Sequence, residues 1–171
     1  MMPTHTRIGA LLHREHQATI QTLQGLEQFL VKQTAKRRPD TTDAHVQARL
    51  RDLLDTLERE VGRHFAFEEE HLFPLLAEKG ESGIGEFLAF EHSSILPLAQ
   101  ELAEMTRRAQ AEGFTDMTWR AFHATGAELI EREIFHIQKE EMGLLAAIAM
   151  LVDADADAVL AETYEICLKA A

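Results

Sequence analysis

The spacing of apolar residues along the chain predicts four long helices joined by short polar segments. In each helical stretch apolar side chains recur every three or four residues, which places them on one face of an α-helix. We expect these helices over about residues 6–37, 42–79, 86–111 and 116–151, with a short fifth helix that ends near Lys169. Four long helices with short connections predict an all-α, up-down-up-down four-helix bundle, with the fifth helix at its C-terminal end.

Length and composition narrow the class of protein. A chain of 171 residues suits one domain with a substantial core. We expect a single domain over residues 1–171, with the bundle core over about 6–151 and an extension over 152–171. The net charge of -12 at pH 7 argues against nucleic acid or an anionic membrane as a partner, because both require a basic surface.

Cysteine use and the N-terminal segment point to a compartment. The one cysteine, Cys167, excludes an internal disulfide bond and suits a reducing environment. The first residues lack the basic region and apolar run of a signal peptide, and no apolar run is long enough to span a bilayer. We therefore expect a cytoplasmic protein.

Four histidines occupy positions on the apolar faces where leucine would be expected. One comes from each long helix, and two of them have a glutamate four residues later on the same face. These six residues are His16, His64, Glu68, His92, His136 and Glu140. A buried carboxylate is costly unless it is paired or bound to a metal ion. Imidazole nitrogens together with carboxylate oxygens suit iron, zinc or manganese.

Distances along the helices place the six residues at one level. Each histidine lies about 19 to 22 residues from the predicted turn at one end of the bundle, near residues 38–42 or 111–116, and at a rise of about 1.5 Å per residue these depths agree within roughly one helical turn. Six protein ligands exceed the four that one zinc ion usually takes. They suit two metal ions bridged by the two glutamates, and mixed ligands with open positions favour iron. The sequence therefore predicts two iron ions able to bind and reduce dioxygen, peroxide or nitric oxide.

The order of these residues resembles a known family. His16, the segments HFAFEE (64–69) and HIQKEE (136–141), and the pair Glu91 and His92 follow one another as in the hemerythrin-like, cation-binding HHE domain. The resemblance covers about residues 10–150. It implies a four-helix bundle with a non-haem di-iron centre, which we expect to be bridged by carboxylate and oxo oxygens.

Two positions differ from the oxygen carrier hemerythrin. That protein has a histidine four residues after its first third-helix ligand, where this chain has Leu96. Its last carboxylate is an aspartate after a longer gap, where this chain has Glu140. The set of four histidines and two glutamates looks more like that of the proteins that repair damaged iron–sulfur clusters. The resemblance thus implies either the handling of small molecules or the supply of iron to an iron–sulfur protein client, rather than reversible oxygen transport.

A second register, that is, a different set of inward-facing residues on the same helices, predicts a different metal site. Residues 68–71 and 133–136 both read Glu-x-x-His, and two such motifs with a glutamate from each other helix mark ferritin-like di-iron oxidases and oxygenases. Glu15 and Glu91 are at the right level for that role, although each lies about 100° around its helix from the neighbouring histidine. In either register we expect His71 and Glu133 on the inner face, as further ligands, as partners of an imidazole or as proton donors.

Two more residues bear on the predicted site. Pro97 lies inside the third helix and predicts a kink or a π-type bulge close to His92. Tyr164 is the only tyrosine of the chain. It could approach the site if the fifth helix folds back, but we expect it to serve helix packing.

Overall fold

The computed structural model describes residues 6–58 and 62–169, and within these ranges every regular element is a helix, which confirms the all-α class. In chain order the elements are α1 (Arg7–Gln33), α2 (Ala44–Thr56), α3 (Gly62–Phe67), a first π-helical turn (Glu68–Leu72), α4 (Phe73–Glu78), α5 (Gly83–Glu112), α6 (Asp116–Lys139), a second π-helical turn (Glu140–Leu144), α7 (Leu145–Leu151) and α8 (Ala154–Lys169). Val61, which falls on the apolar face of the predicted second helix, lies outside the described residues.

Four bundle helices are formed by α1, by α2 to α4, by α5, and by α6 with α7. α1 packs against α2 and α6, and α5 packs against the same two helices on the other side. The connections are short, so consecutive bundle helices run in opposite directions. The helix α8 folds back and packs against α1 and α3. Within the described ranges, no helix combines the length and apolar character needed to cross a membrane.

The helix ends follow from local side-chain chemistry. The hydroxyl of Thr6 accepts a hydrogen bond from the Gly9 amide, and the carboxylate of Asp43 accepts from two amides of α2, so both N-termini are capped. α5 ends at Glu112 and is followed by Gly113, whose φ of 78° is accessible to glycine at little cost. The next helix begins two residues later with a capping box between Thr115 and Thr118.

Two apolar cores lie along the bundle, and the predicted ligands lie between them. Members of the first core include Leu23, Leu50, Ile95, Trp119, Phe122 and Leu129. Members of the second core include Leu12, Phe67, Leu72, Leu88, Leu144 and Tyr164. Along α1, for example, His16 falls between Leu12 of the second core and Leu23 of the first. Because burying each such side chain contributes about 1.5–3 kcal/mol, the two cores fix the helices on both sides of the polar layer.

The π-helical turns Glu68–Leu72 and Glu140–Leu144 each begin at a glutamate predicted as a ligand. The amide of Phe73 donates to the Glu68 carbonyl, and the amide of Leu145 donates to the Glu140 carbonyl, five residues back in each case. By contrast, α5 continues through Pro97 without such a turn, so the π-type bulge is wrong there, while the alternative of a kink stays a prediction. The carbonyl that loses its donor there belongs to Ser93, an exposed residue, and water can replace the bond.

Candidate metal centre

The six residues predicted as ligands lie together in the polar layer, and none is more than 5% exposed. Their nitrogen and oxygen atoms form two sets, within each of which all atoms lie within 4.8 Å of one another. The first ligand group consists of His16, His64, Glu68 and Glu140. The second ligand group consists of His92, His136, Glu68 and Glu140. Both glutamates therefore belong to both groups.

Each shared carboxylate points one oxygen at each group. Oε1 of Glu68 lies 3.2 Å from Nε2 of His64, and Oε2 lies 3.4 Å from Nε2 of His92. Oε2 of Glu140 lies 3.0 Å from Nε2 of His16, and Oε1 lies 2.8 Å from Nε2 of His136. The two glutamates thus connect the groups as a pair of bridges.

The outer nitrogens of His16 and His92 are each held by a carboxylate. Nδ1 of His16 lies 2.6 Å from Oε1 of Glu141, and Nδ1 of His92 lies 2.8 Å from Oε1 of Glu69. An acceptor at Nδ1 keeps the proton on that nitrogen, so the lone pair of Nε2 faces the interior. The carboxylate of Glu141 also meets Nδ1 of His13 at 2.8 Å, which connects it to the surface.

The other two histidines have different outer partners. Nδ1 of His136 lies 3.1 Å from Oε2 of Glu91, whose other oxygen is paired with Lys139. Nδ1 of His64 lies 3.1 Å from the hydroxyl of Tyr164, a side chain with no solvent exposure. All four Nε2 atoms therefore converge: those of His16 and His64 are 3.4 Å apart, and those of His92 and His136 are 3.1 Å apart.

At the start of each π-helical turn, two consecutive glutamates contact the same imidazole. Glu68 and Glu69 contact the two nitrogens of His92, while Glu140 and Glu141 contact the two nitrogens of His16. On a regular α-helix, adjacent side chains point about 100° apart. In both cases the first glutamate faces the interior and the second reaches the same ring from outside. The two halves of the site are built alike.

Unpartnered carboxylate oxygens show that a cation fits the two groups. Among the described atoms, both oxygens of Glu68 and Oε1 of Glu140 are buried without a hydrogen bond of proper geometry. Buried carboxylates without compensation cost several kcal/mol. Because these oxygens and the four Nε2 lone pairs face the same two points, metal ions would satisfy all of them at once.

Without metal, protons take the place of cations. Burial alone would lower the pKa of His16, but hydrogen bonds to Glu140 and Glu141 raise it to about 10. Burial also lowers the pKa of His92, but the nearby carboxylates of Glu140 and Glu68 outweigh this effect and raise that pKa to about 10. Burial alone would raise the pKa of Glu140, but hydrogen bonds with His136, His16 and His92 outweigh it. The pKa of Glu140 therefore lies well below its usual range. Metal binding must therefore displace protons.

Aromatic rings close the site against solvent. The ring of Phe65 stacks on that of His92, with centroids 3.7 Å apart and planes 7° from parallel. The ring of Phe73 lies 5.8 Å from the same imidazole. Both phenylalanines are buried, so the orientation of His92 is fixed by packing as well as by Glu69.

The residues of the ferritin-like register are not brought together. His71 is exposed and Glu15 is partly exposed, and neither belongs to a ligand group. The prediction that His71 lies on the inner face is wrong, because Leu72 takes the inward place after Glu68. Glu91 lies behind His136 rather than beside the interior oxygens. Glu133 is buried as predicted but belongs to neither group.

Sequence reasoning missed the outer partners of the histidines. Glu69, Glu91 and Glu141 each stand next to a predicted ligand in the chain, which is a signal that could have identified them. Tyr164 packs in the second core as expected, but α8 folds back and its hydroxyl also reaches His64, so the expectation that it serves helix packing rather than the site is wrong.

A helical bundle with two overlapping buried groups of histidine and glutamate defines a metal-binding protein. A comparison with protein-family models matches the hemerythrin HHE cation binding domain over residues 7–148, and the chain belongs to this family. A comparison with curated proteins gives no match. The matched region contains all six predicted ligands and ends before α8, so Tyr164 comes from outside it.

Proposed function

We propose that the protein holds two non-haem iron ions and reacts with small molecules of the class of dioxygen, nitric oxide and peroxide. The observation that carries this proposal is the sharing of Glu68 and Glu140, each with one oxygen toward either ligand group. One ion would take His16 and His64 with one oxygen from each glutamate. The other would take His92 and His136 with the remaining oxygens.

The open positions that the proposed reaction requires favour iron over zinc in this arrangement. Each position offers two imidazoles and two carboxylate oxygens, and four such ligands would close a tetrahedral zinc site. An iron ion with about six positions keeps roughly two of them open. When bound, two ferrous ions can supply two electrons to a small oxidant.

The residues of the chain prepare the site for this task. The outer acceptors Glu69, Glu91 and Glu141 hold three imidazoles so that Nε2 faces inward, and Tyr164 holds the fourth. The stacked ring of Phe65 excludes bulk water from the second ligand group. A dry, preorganised site of this kind binds its ions in one geometry.

Burial favours small molecules over a protein client. The ligands are at most 5% exposed, and the cavity beside the first ligand group has a volume of only about 10 Å³. This space is about enough for one water molecule, so only the smallest molecules could reach the ions. Delivery of iron to an iron–sulfur protein would require the bundle to open, and no observation favours that second function.

The test is the response of the ferrous protein to air and to nitric oxide. We expect air to change the visible spectrum of anaerobic, iron-loaded protein permanently, because both ions keep open positions, and we expect nitric oxide to bind the ferrous form. The double variant His64→Ala with Glu68→Ala is the control and should respond weakly. An oxygenated spectrum that vacuum reverses would establish a carrier instead. Lack of response to both gases would refute the proposal, and iron transfer to an apo iron–sulfur protein would establish a donor.

A further inference from the structure

The surface shared by α5 and α6 carries an aromatic patch, formed by Phe87, Phe90 and Phe135. Phe87 and Phe90, three residues apart on α5, are 50% and 75% exposed, and Phe135 on α6 is 55% exposed. Lys139, one turn after Phe135, reaches to 5.3 Å from the ring centre of Phe87, so the two helices present their rings side by side. Apolar side chains exposed singly need no explanation, whereas a patch of them marks an interaction surface.

A groove runs between α5 and α6 on the same surface. Its volume is about 620 Å³, and its walls include Ile95, Phe135 and Lys139. The wall residues that α6 contributes are exposed, so the groove is an open trough rather than an enclosed ligand site. A trough of this kind suits the side chains of another protein chain.

The charges on α6 match a second copy of the same helix. Glu131 and Lys139 are each four residues from Phe135, so they lie about 6 Å to either side of it and within about 40° of its face. If two copies of α6 pack antiparallel about Phe135, Glu131 of each copy faces Lys139 of the other. Among the described residues Glu131 has no salt bridge in its own chain, whereas Arg132 pairs with Glu128 at 2.8 Å. Two-fold packing therefore gives Glu131 a cation.

The exposed rings supply much of the area that a dimer requires. Because a buried aromatic side chain hides about 150–250 Å², covering what is exposed of the aromatic patch would bury roughly 270–450 Å² of each chain. A specific interface needs about 500 Å² from each partner. Met142, which is 81% exposed and follows Lys139 by three residues, and the charged rim of the groove can supply the rest.

We propose that the protein forms a symmetric dimer through this surface, with the two α6 helices antiparallel and Phe135 on the two-fold axis. Lys139 pairs with Glu91 within its own chain and has further N–H groups for Glu131 of the other copy. The net charge of -12 on each chain opposes association at long range, and salt at about 0.15 M screens this repulsion beyond about 8 Å. The inference goes beyond the proposed function and does not depend on which metal is bound.

Sedimentation equilibrium of the full-length protein is the first test. In about 0.15 M salt we expect a dimer with a dissociation constant of about 1–100 μM. Phe135→Glu should raise this constant at least about tenfold, because it places two carboxylates together on the axis. Val159→Glu is the matched control, since Val159 is 63% exposed on α8, which packs against α1 and α3.

The outcomes of sedimentation decide the dimer and its surface. If the unmodified protein stays monomeric well above these concentrations, the inference is overturned, and the surface is left to a partner of another sequence. A dimer that survives Phe135→Glu, or that Val159→Glu weakens equally, would place the contact elsewhere and also overturn it.

Cross-linking tests the register and does not depend on how well Phe135→Glu folds. Facing helices lie about 8–10 Å apart, which brings Cα atoms on the axis within the reach of about 4.4–6.8 Å that a disulfide bond allows. In a Cys167→Ser background, mild oxidation should link two chains of Phe135→Cys and leave Val159→Cys unlinked. Absence of the link in Phe135→Cys, or equal linking of both variants, would overturn the antiparallel dimer.

Discussion

Tyr164→Phe removes one oxygen atom from the support of the first ligand group. The hydroxyl lies 3.1 Å from Nδ1 of His64, and the tyrosine side chain has no solvent exposure. The ring, which packs on Phe67 with centroids 4.7 Å apart, keeps its contacts in the variant. The substitution therefore perturbs the partner of His64 with little change in packing.

The expected loss of stability in Tyr164→Phe follows from the burial of this hydrogen bond. Because water cannot replace the hydroxyl, the N–H of His64 is left without an acceptor, at a cost of about 1–3 kcal/mol. For a chain of this size each kcal/mol lowers the melting temperature by roughly 2–4 °C, so we expect a fall of about 2–12 °C. Loss of a partner that orients a metal-bound histidine typically weakens metal binding about 10–100-fold.

The assay follows metal removal by a chelator. His64 belongs to the first ligand group alone, so Tyr164→Phe should hasten the loss of one ion and leave the other nearly unchanged. Glu69→Gln is the mirror variant, because Glu69 supports His92 of the second group. His71→Ala, at an exposed position in the same segment, should have no effect. A Tyr164→Phe protein with unchanged melting and unchanged metal release would refute the reasoning, as would equal weakening of both ions.

Four further predictions concern the ligand register, metal removal, pH and the C-terminal helix. His16→Ala or His92→Ala should lower metal content clearly, while Glu15→Ala should not, and the reverse would favour the ferritin-like register. The metal-free protein should melt below the metal-bound one at neutral pH, as bound metal adds stability. In the metal-free state the pKa values of both histidines rise from 6.5 to about 10. Their stabilisation is complete below pH 6.5 and is lost as the pH rises toward 10. Melting of the metal-free protein should therefore fall from about pH 7 to pH 9, and a rise would contradict the assigned pairs. Asp157 accepts from the amides of Arg7 and Ile8 at 2.8 and 2.9 Å. Asp157→Ala should thus cost about 1 kcal/mol in a denaturant titration, and no change would mean that this link is not stabilising.

The positions of the six predicted ligands could be read from the chain because helices have a fixed rise and period. His16 and His92 interrupt apolar faces, and the counts from each turn place them at one depth. The pairs His64 with Glu68 and His136 with Glu140 are four residues apart, so they share a face in any regular helix. The structure brings these six residues together, and their role as iron ligands stays a prediction.

The outer partners of the histidines could not be predicted from the sequence in the same way. Glu69 and Glu141 fall off the apolar faces and look like ordinary surface acids. They contact the imidazoles from the start of π-helical turns, and local propensity gives little sign of such turns. Tyr164 reaches His64 through the packing of α8 against α1 and α3, which is a tertiary contact.

The central claim is that Glu68 and Glu140 bridge two iron ions, and metal analysis of anaerobically purified protein tests it most directly. We predict about two irons per chain, because each of the two groups of imidazole and carboxylate ligands should hold one ion. The double variant His64→Ala with Glu68→Ala should hold clearly less, because it removes one imidazole and one bridge. One tightly bound zinc ion per chain, or equal metal content in the unmodified protein and the double variant, would contradict the account.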